Sequence, residues 1–117
     1  MYYCTMYSKE LLKGTLKTIV LKLLSENGRM YGYEITQKVK ELTEGKIVLT
    51  EGALYPTLHK LEATGLVVPQ TENIGKRIRK YYSVTKSGNE QATSMANEFV
   101  EFVQTMLFLL NPKLSKK

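Results

Sequence analysis

The stretch TEGALYPTLHKLEATGLVVPQTENIGKRIRKYYSVT, Thr50 to Thr85, decides the fold. It begins as a helix and ends as a hairpin. Thr50 is a good N-cap, Leu54, Leu58 and Leu61 recur at helical spacing, and Gly65 stops the run, which predicts a helix over 50–64. Pro56 removes a backbone donor well inside that run, so the helix either kinks or starts later than Thr50. The apolar period then drops from about 3.6 to 2. Residues 66–71 read as one strand. Over 77–85, Ile78, Lys80, Tyr82 and Val84 alternate with Arg77, Arg79, Tyr81 and Ser83. Asn73-Ile74-Gly75-Lys76 holds turn residues, so the two strands form a β-hairpin.

Upstream, residues 8–26 read as one helix with Ser8 as N-cap, Leu12, Leu16, Ile19, Leu23 and Leu24 on one face, and Asn27-Gly28 as its end. Residues 31–43 read as a second helix whose stripe is Tyr31, Ile35, Val39 and Leu42, followed by a turn at 43–46. Downstream, residues 86 to about 111 form a long final helix closed by Asn111-Pro112. Ala92, Met95, Phe99, Phe102, Met106 and Leu109 step by three and four in turn, which is a heptad seam rather than a plain amphipathic face.

The 117 residues suit a single compact unit: a domain over 1–85, then a dimerisation helix and basic tail over 86–117. Cys4 is the only cysteine, which rules out an intramolecular disulfide and fits a reduced cytoplasmic setting. The first residues lack the pattern of a signal peptide. The apolar run from Phe99 to Leu110 is too short for a membrane span and is broken by Glu101 and Gln104. The net charge of +6 is concentrated. Lys76, Arg77, Arg79, Lys80 and Lys86 contribute +5, the tail Lys113 to Lys117 contributes +3, and the remainder sums to −2. Such a patch is the footprint of a nucleic acid or anionic partner; the plainer reading is a solvated strand that aids solubility.

Three helices, a two-stranded hairpin and a long helix make a mainly α (α+β) winged helix-turn-helix. In that fold the third helix enters the major groove of double-stranded DNA and the hairpin, or wing, reaches the backbone or minor groove. YGYEI at 31–35, EGALYPTLHKLEATGLV at 51–67 and RKYYSVTKSG at 79–88 resemble the PadR family of bacterial transcriptional regulators. The resemblance implies a homodimeric repressor whose C-terminal helix dimerises and some of whose members sense small molecules. Carried onto this chain, it places Thr50, Gly52, Tyr55 and Pro56 at the start of the recognition helix.

The buried stripe of that helix leaves Glu51, Gly52, Tyr55, His59 and Lys60 among the positions free to face outward. Gly52 allows close approach. Tyr55 either meets a phosphate or sugar or, with Pro56, packs against the second helix. Glu51 could accept from cytosine N4. His59, the only histidine, has no neighbouring ligands for a metal and no catalytic partners, so neither a cofactor nor an enzyme activity is expected. In the wing, Lys76, Arg77, Arg79 and Lys80 are the phosphate candidates, with Lys76 and Arg77 first because they lie nearest the tip. The heptad residues predict a homodimer seam; the helix's polar face carries Glu98 and Glu101 and does not suit a membrane. Tyr7, Met95, Phe99 and Phe102 are the candidate lining of a pocket for a small hydrophobic or aromatic effector, with Tyr2, Tyr3, Met6, Met106 and Phe108 as further candidates. The rival reading is a winged helix used as a protein-interaction module without specific DNA binding.

Overall fold

The computed structural model describes residues 7–111 and 113; Tyr2, Tyr3, Cys4, Met6, Pro112 and the tail after Lys113 lie outside them. The helices are α1 (Lys9–Lys13), α2 (Leu16–Asn27), α3 (Gly32–Leu42), α4 (Glu51–Ala63) and α5 (Lys86–Leu110). The strands β1 (Met30–Tyr31), β2 (Val67–Ile74) and β3 (Arg77–Val84) form one antiparallel sheet in the order β1-β3-β2. The winged helix-turn-helix is therefore the fold, with two departures in its local elements.

The first departure is the helix expected over 8–26, which is two helices. Ser8 caps α1 by accepting from the Leu11 N–H at 3.2 Å. Gly14 then closes α1, and the Thr15 hydroxyl donates to the Leu12 carbonyl at 2.8 Å. A glycine that disfavours helix by about 1 kcal/mol, followed by a threonine that captures a backbone carbonyl, interrupts an otherwise continuous apolar stripe. α2 ends at Asn27, and Gly28 leaves it at φ 77°.

The second departure is β1, a two-residue strand too short to leave a periodic signal. Met30 pairs with Tyr82 and Tyr31 with Tyr81. Tyr31 also precedes α3, and its N–H donates to Glu34 Oε1 at 3.1 Å, the backward half of a capping box. Leu42, expected in the buried stripe of this helix, is instead 64% exposed. The helix stops there because the Thr43 hydroxyl donates to the Val39 carbonyl at 2.8 Å and accepts from the Ile47 N–H at 3.0 Å. The loop so formed delivers Leu49 to the core.

α4 begins at Glu51 with Thr50 as its cap, the Thr50 hydroxyl accepting from the Ala53 N–H at 3.2 Å. It runs through Pro56 without ending, which excludes the later start. Pro56 lies on the exposed side, where a missing donor is least costly. Leu54, Leu58 and Leu61 are fully buried, and Gly65, at φ 80°, turns the chain into β2. The expected four-residue turn tightens to Gly75-Lys76 between the paired Ile74 and Arg77, with Gly75 at φ 61° as a two-residue type II′ loop needs at its first position.

α5 is rooted where α4 meets the sheet. The Thr85 hydroxyl donates to the Gly65 carbonyl at 2.9 Å and accepts from the Gly88 N–H at 2.9 Å. A Cβ on Gly88 would collide with the Leu66 carbonyl group, whose carbon lies 2.9 Å from that point. That explains the glycine three residues after Thr85. Ala92 is buried and Met95 packs against the core, while beyond Met95 the helix carries no buried residue.

Candidate nucleic-acid interface

The apolar stripe of α4 fixes which side chains can leave the body. Thr50, Glu51, Gly52, Pro56, His59 and Lys60 are all exposed. Gly52, Pro56, His59 and Lys60 recur at helical spacing, so they share the face opposite Leu54, Leu58 and Leu61. Gly52 has open space where a Cβ would stand, apart from the Thr50 hydroxyl at 3.9 Å. This leaves the backbone approachable at the first turn, where helix N–H groups and recognition contacts are found.

Tyr55 leaves that face. It is half-buried, and its ring lies over Gly32 at the start of α3, its Cζ 2.7 Å from where a Cβ on residue 32 would be. Of the two alternatives for Tyr55, packing against the preceding helix describes its position. Burial, then the nearby Glu51 carboxylate, then Tyr82 push its pKa up, so the phenol stays protonated. Its ring centroid is 6.5 Å from that of His59. Four residues of YGYEI are thereby explained: Tyr31 starts the helix, Gly32 admits Tyr55, Glu34 closes the cap and Ile35 enters the core, while Tyr33 stays exposed.

The register of β2 and β3 assigns the wing's two faces, because side chains alternate along a strand. Val67, Tyr82 and Val84 pack on or against the core, and Ile78 and Lys80 continue that same face beyond it. Ile78 is 72% exposed. Arg77, Arg79 and Tyr81 stand on the other face beside Ile74, Glu72 and Gln70. Lys76, Arg77 and Lys80 are exposed and make no ion pair among the described residues. Lys80 Nζ lies 5.4 Å from the centre of the Tyr82 ring.

Arg79 is held differently. Its guanidinium carbon sits 4.1 Å above the Tyr31 ring, and a hydrogen bond with the Tyr81 side chain, foremost, raises its pKa further above the usual value. Tyr31 and Tyr81 meet edge to face at 5.4 Å and 81°. Arg29 lies 4.0 Å above Tyr81 and donates to both carboxylate oxygens of Glu72 at 2.9 and 3.0 Å. Sequence reading did not single out Arg29 or Glu72. The one available signal was Glu72 itself, the sole acid between Val67 and Val84.

On α5 the heptad residues divide. Ala92 and Met95 pack on the core. Phe99, Phe102 and Leu109 are exposed, Leu109 by 70%, and Met106 is half-buried. Tyr7 lines a cleft with Leu42, Thr43, Glu44, Lys46 and Ile47. No α5 residue lines that cleft, so it is separate from the surface formed by Met95, Phe99 and Phe102. Among the described residues, no group of three His, Cys, Asp or Glu side chains is placed to hold a metal ion, and no helix is long and apolar enough to cross a membrane.

Residues 20–94 match the model of the Transcriptional regulator PadR-like family. The chain is 29% identical over 99 residues to the transcriptional regulator Rv3488 of Mycobacterium tuberculosis, covering 85% of this chain and 89% of that protein. A PadR family transcriptional regulator from Eggerthella lenta superposes with a TM-score of 0.77 at 28% identity, over 87% of each chain. Bacillus subtilis PadR, solved in complex with operator DNA, superposes with a TM-score of 0.63 at 30% identity, over 69% of this chain and 46% of that one.

Proposed function

The chain belongs to the PadR-like family of transcriptional regulators, and from that membership we propose that it is a homodimeric repressor of a pseudo-palindromic operator. Members of the family are transcriptional regulators, not enzymes. In this reading α4 enters the major groove through its outward face, Thr50, Glu51, Gly52, Pro56, His59 and Lys60, with Tyr55 seating the helix from behind. The wing neutralises phosphates with Lys76, Arg77, Arg79 and Lys80. The observation that carries it is the hairpin, whose cations extend past the core of a body that is otherwise near neutral.

The seam of exposed Phe99, Phe102 and Leu109 with half-buried Met106 supports pairing of α5 with its copy in a second subunit. Twofold symmetry would then set two copies of α4 about 34 Å apart, one helical turn of DNA. A small hydrophobic or aromatic effector, bound where Met95, Phe99 and Phe102 of two subunits converge, would release the DNA. Selection from a random duplex library tests this. The expected result is enrichment of an inverted repeat. A Lys76→Ala/Arg77→Ala variant should bind it with a salt slope flattened by about 0.9 for each phosphate no longer neutralised. No enrichment, with equal weak binding to unrelated duplexes, would favour the protein-interaction module instead.

A further inference from the structure

The wing leaves the body at a mechanical weak point. β1 pairs with β3 only at Tyr81 and Tyr82. Further out, β3 is hydrogen-bonded on one side alone, to β2, as far as the turn at Gly75-Lys76. A bare two-stranded ribbon is marginally stable in water, and ordering it on DNA would cost conformational entropy at every residue fixed. The contacts described above sit at this exit. Arg29 crosses β3 over Tyr81 and ends on Glu72 of β2, which ties the β1 side of the sheet to its opposite edge. Tyr31 takes Arg79 on its ring and Tyr81 against its edge. All three strands are joined on one face at one level.

Glu72 calls for this explanation. An acid directly opposite Arg79 on a basic wing opposes phosphate binding. It would be out of place unless its carboxylate were needed for something else, and Arg29 is what it binds.

We infer that Arg29, Tyr31, Tyr81 and Glu72 form a clamp at the root of the wing that presets its direction for DNA. Arg29, Tyr31 and Glu72 are positioning residues rather than DNA contacts. The inference rests on the DNA-binding reading for its purpose, but the clamp itself can be measured without DNA.

Glu72→Ala separates the clamp from plain electrostatics, because the two predict opposite signs. Removing a negative charge from the wing should tighten binding if charge alone acts. With the clamp, binding to the selected duplex at about 0.15 M salt weakens about five- to tenfold, the combined size of an exposed ion pair and a cation–π contact. Arg29→Ala/Glu72→Ala should bind no worse than Arg29→Ala alone. Tyr31→Phe keeps the ring and should bind like the wild type, while Tyr31→Leu should not. In the DNA-free protein, the heteronuclear NOE of the Lys76 amide should fall in Glu72→Ala and leave α2 and α5 unchanged. Tighter binding by Glu72→Ala, or an unchanged Lys76 amide, would overturn the clamp. If the wild type binds no duplex selectively while the Lys76 amide does loosen, the DNA reading fails and the clamp stands.

Discussion

Gly32 and Tyr55 show how one missing side chain joins two helices. A helical glycine replaced by alanine ordinarily gains about 0.5–1 kcal/mol. Gly32→Ala should do the reverse here, because the new Cβ meets the Tyr55 ring and hydroxyl. Overpacking of this kind costs about 1–3 kcal/mol, and Gly32→Ala/Tyr55→Leu should recover part of it, since the second change removes the obstacle. Urea denaturation of the four proteins checks the cycle; a Gly32→Ala protein at least as stable as the wild type contradicts the contact. Tyr82 offers a second residue-scale test. It is 1% exposed, and its hydroxyl is buried with no hydrogen-bond partner among the described residues. Tyr82→Phe removes an unsatisfied polar atom and keeps the ring, so stability should rise by about 1 kcal/mol. A decrease in the same urea experiment would mean that the hydroxyl is satisfied in solution.

Between elements, the junction of β3 and α5 depends on a single hydroxyl that serves two purposes. Thr85 caps α5 through the Gly88 N–H and binds the carbonyl of Gly65, the glycine that follows α4. Thr85→Ala should therefore cost about 1–2 kcal/mol, the upper part of the range for a cap, and Thr85→Ser should cost little. Thermal melts of both variants test this; equal melting temperatures for Ala and Ser would remove the hydroxyl from the account. The T-x-x-G spacing at 85–88 was legible as part of a resemblance, but its cause was not. The cause is a backbone carbonyl from residue 66, which no local pattern reveals. The same limit explains β1, whose two residues are a strand only because β3 lies beside them. The break at Gly14-Thr15 was a local signal, outweighed in sequence reading by the leucine stripe that runs across it.

At the scale of the whole molecule, α5 is the outlier. Its 25 residues extend about 37 Å, and only its first turns have a core to rest on. Phe102 is 56% exposed in the middle of the unpartnered half. In the proposed dimer, Phe102→Glu would bury two facing carboxylates at a twofold seam. The dissociation constant should rise at least about a hundredfold by sedimentation velocity, with the helical content of the subunit retained. Sedimentation identical to the wild type would place the dimer contact elsewhere. Operator binding should weaken in parallel, because two copies of α4 would no longer be linked.

The amino-acid sequence alone determined the succession from α3 through α4 and the hairpin to the long last helix, the helix–hairpin switch after Gly65, the N-caps at Ser8 and Thr50, and the buried leucines of α4. Each follows from local chemistry: the period of apolar residues, a capping hydroxyl, a glycine free to adopt positive φ. Concentration of charge in the wing was equally plain, since charge needs only counting. Tertiary structure alone decided how those charges are used. Tyr55 turned inward because α3 leaves room at Gly32, Arg79 came to rest on Tyr31, and Arg29 reached Glu72, 43 residues away. Contacts of that separation depend on sheet register and helix packing, and neither is encoded in the spacing of the residues that meet.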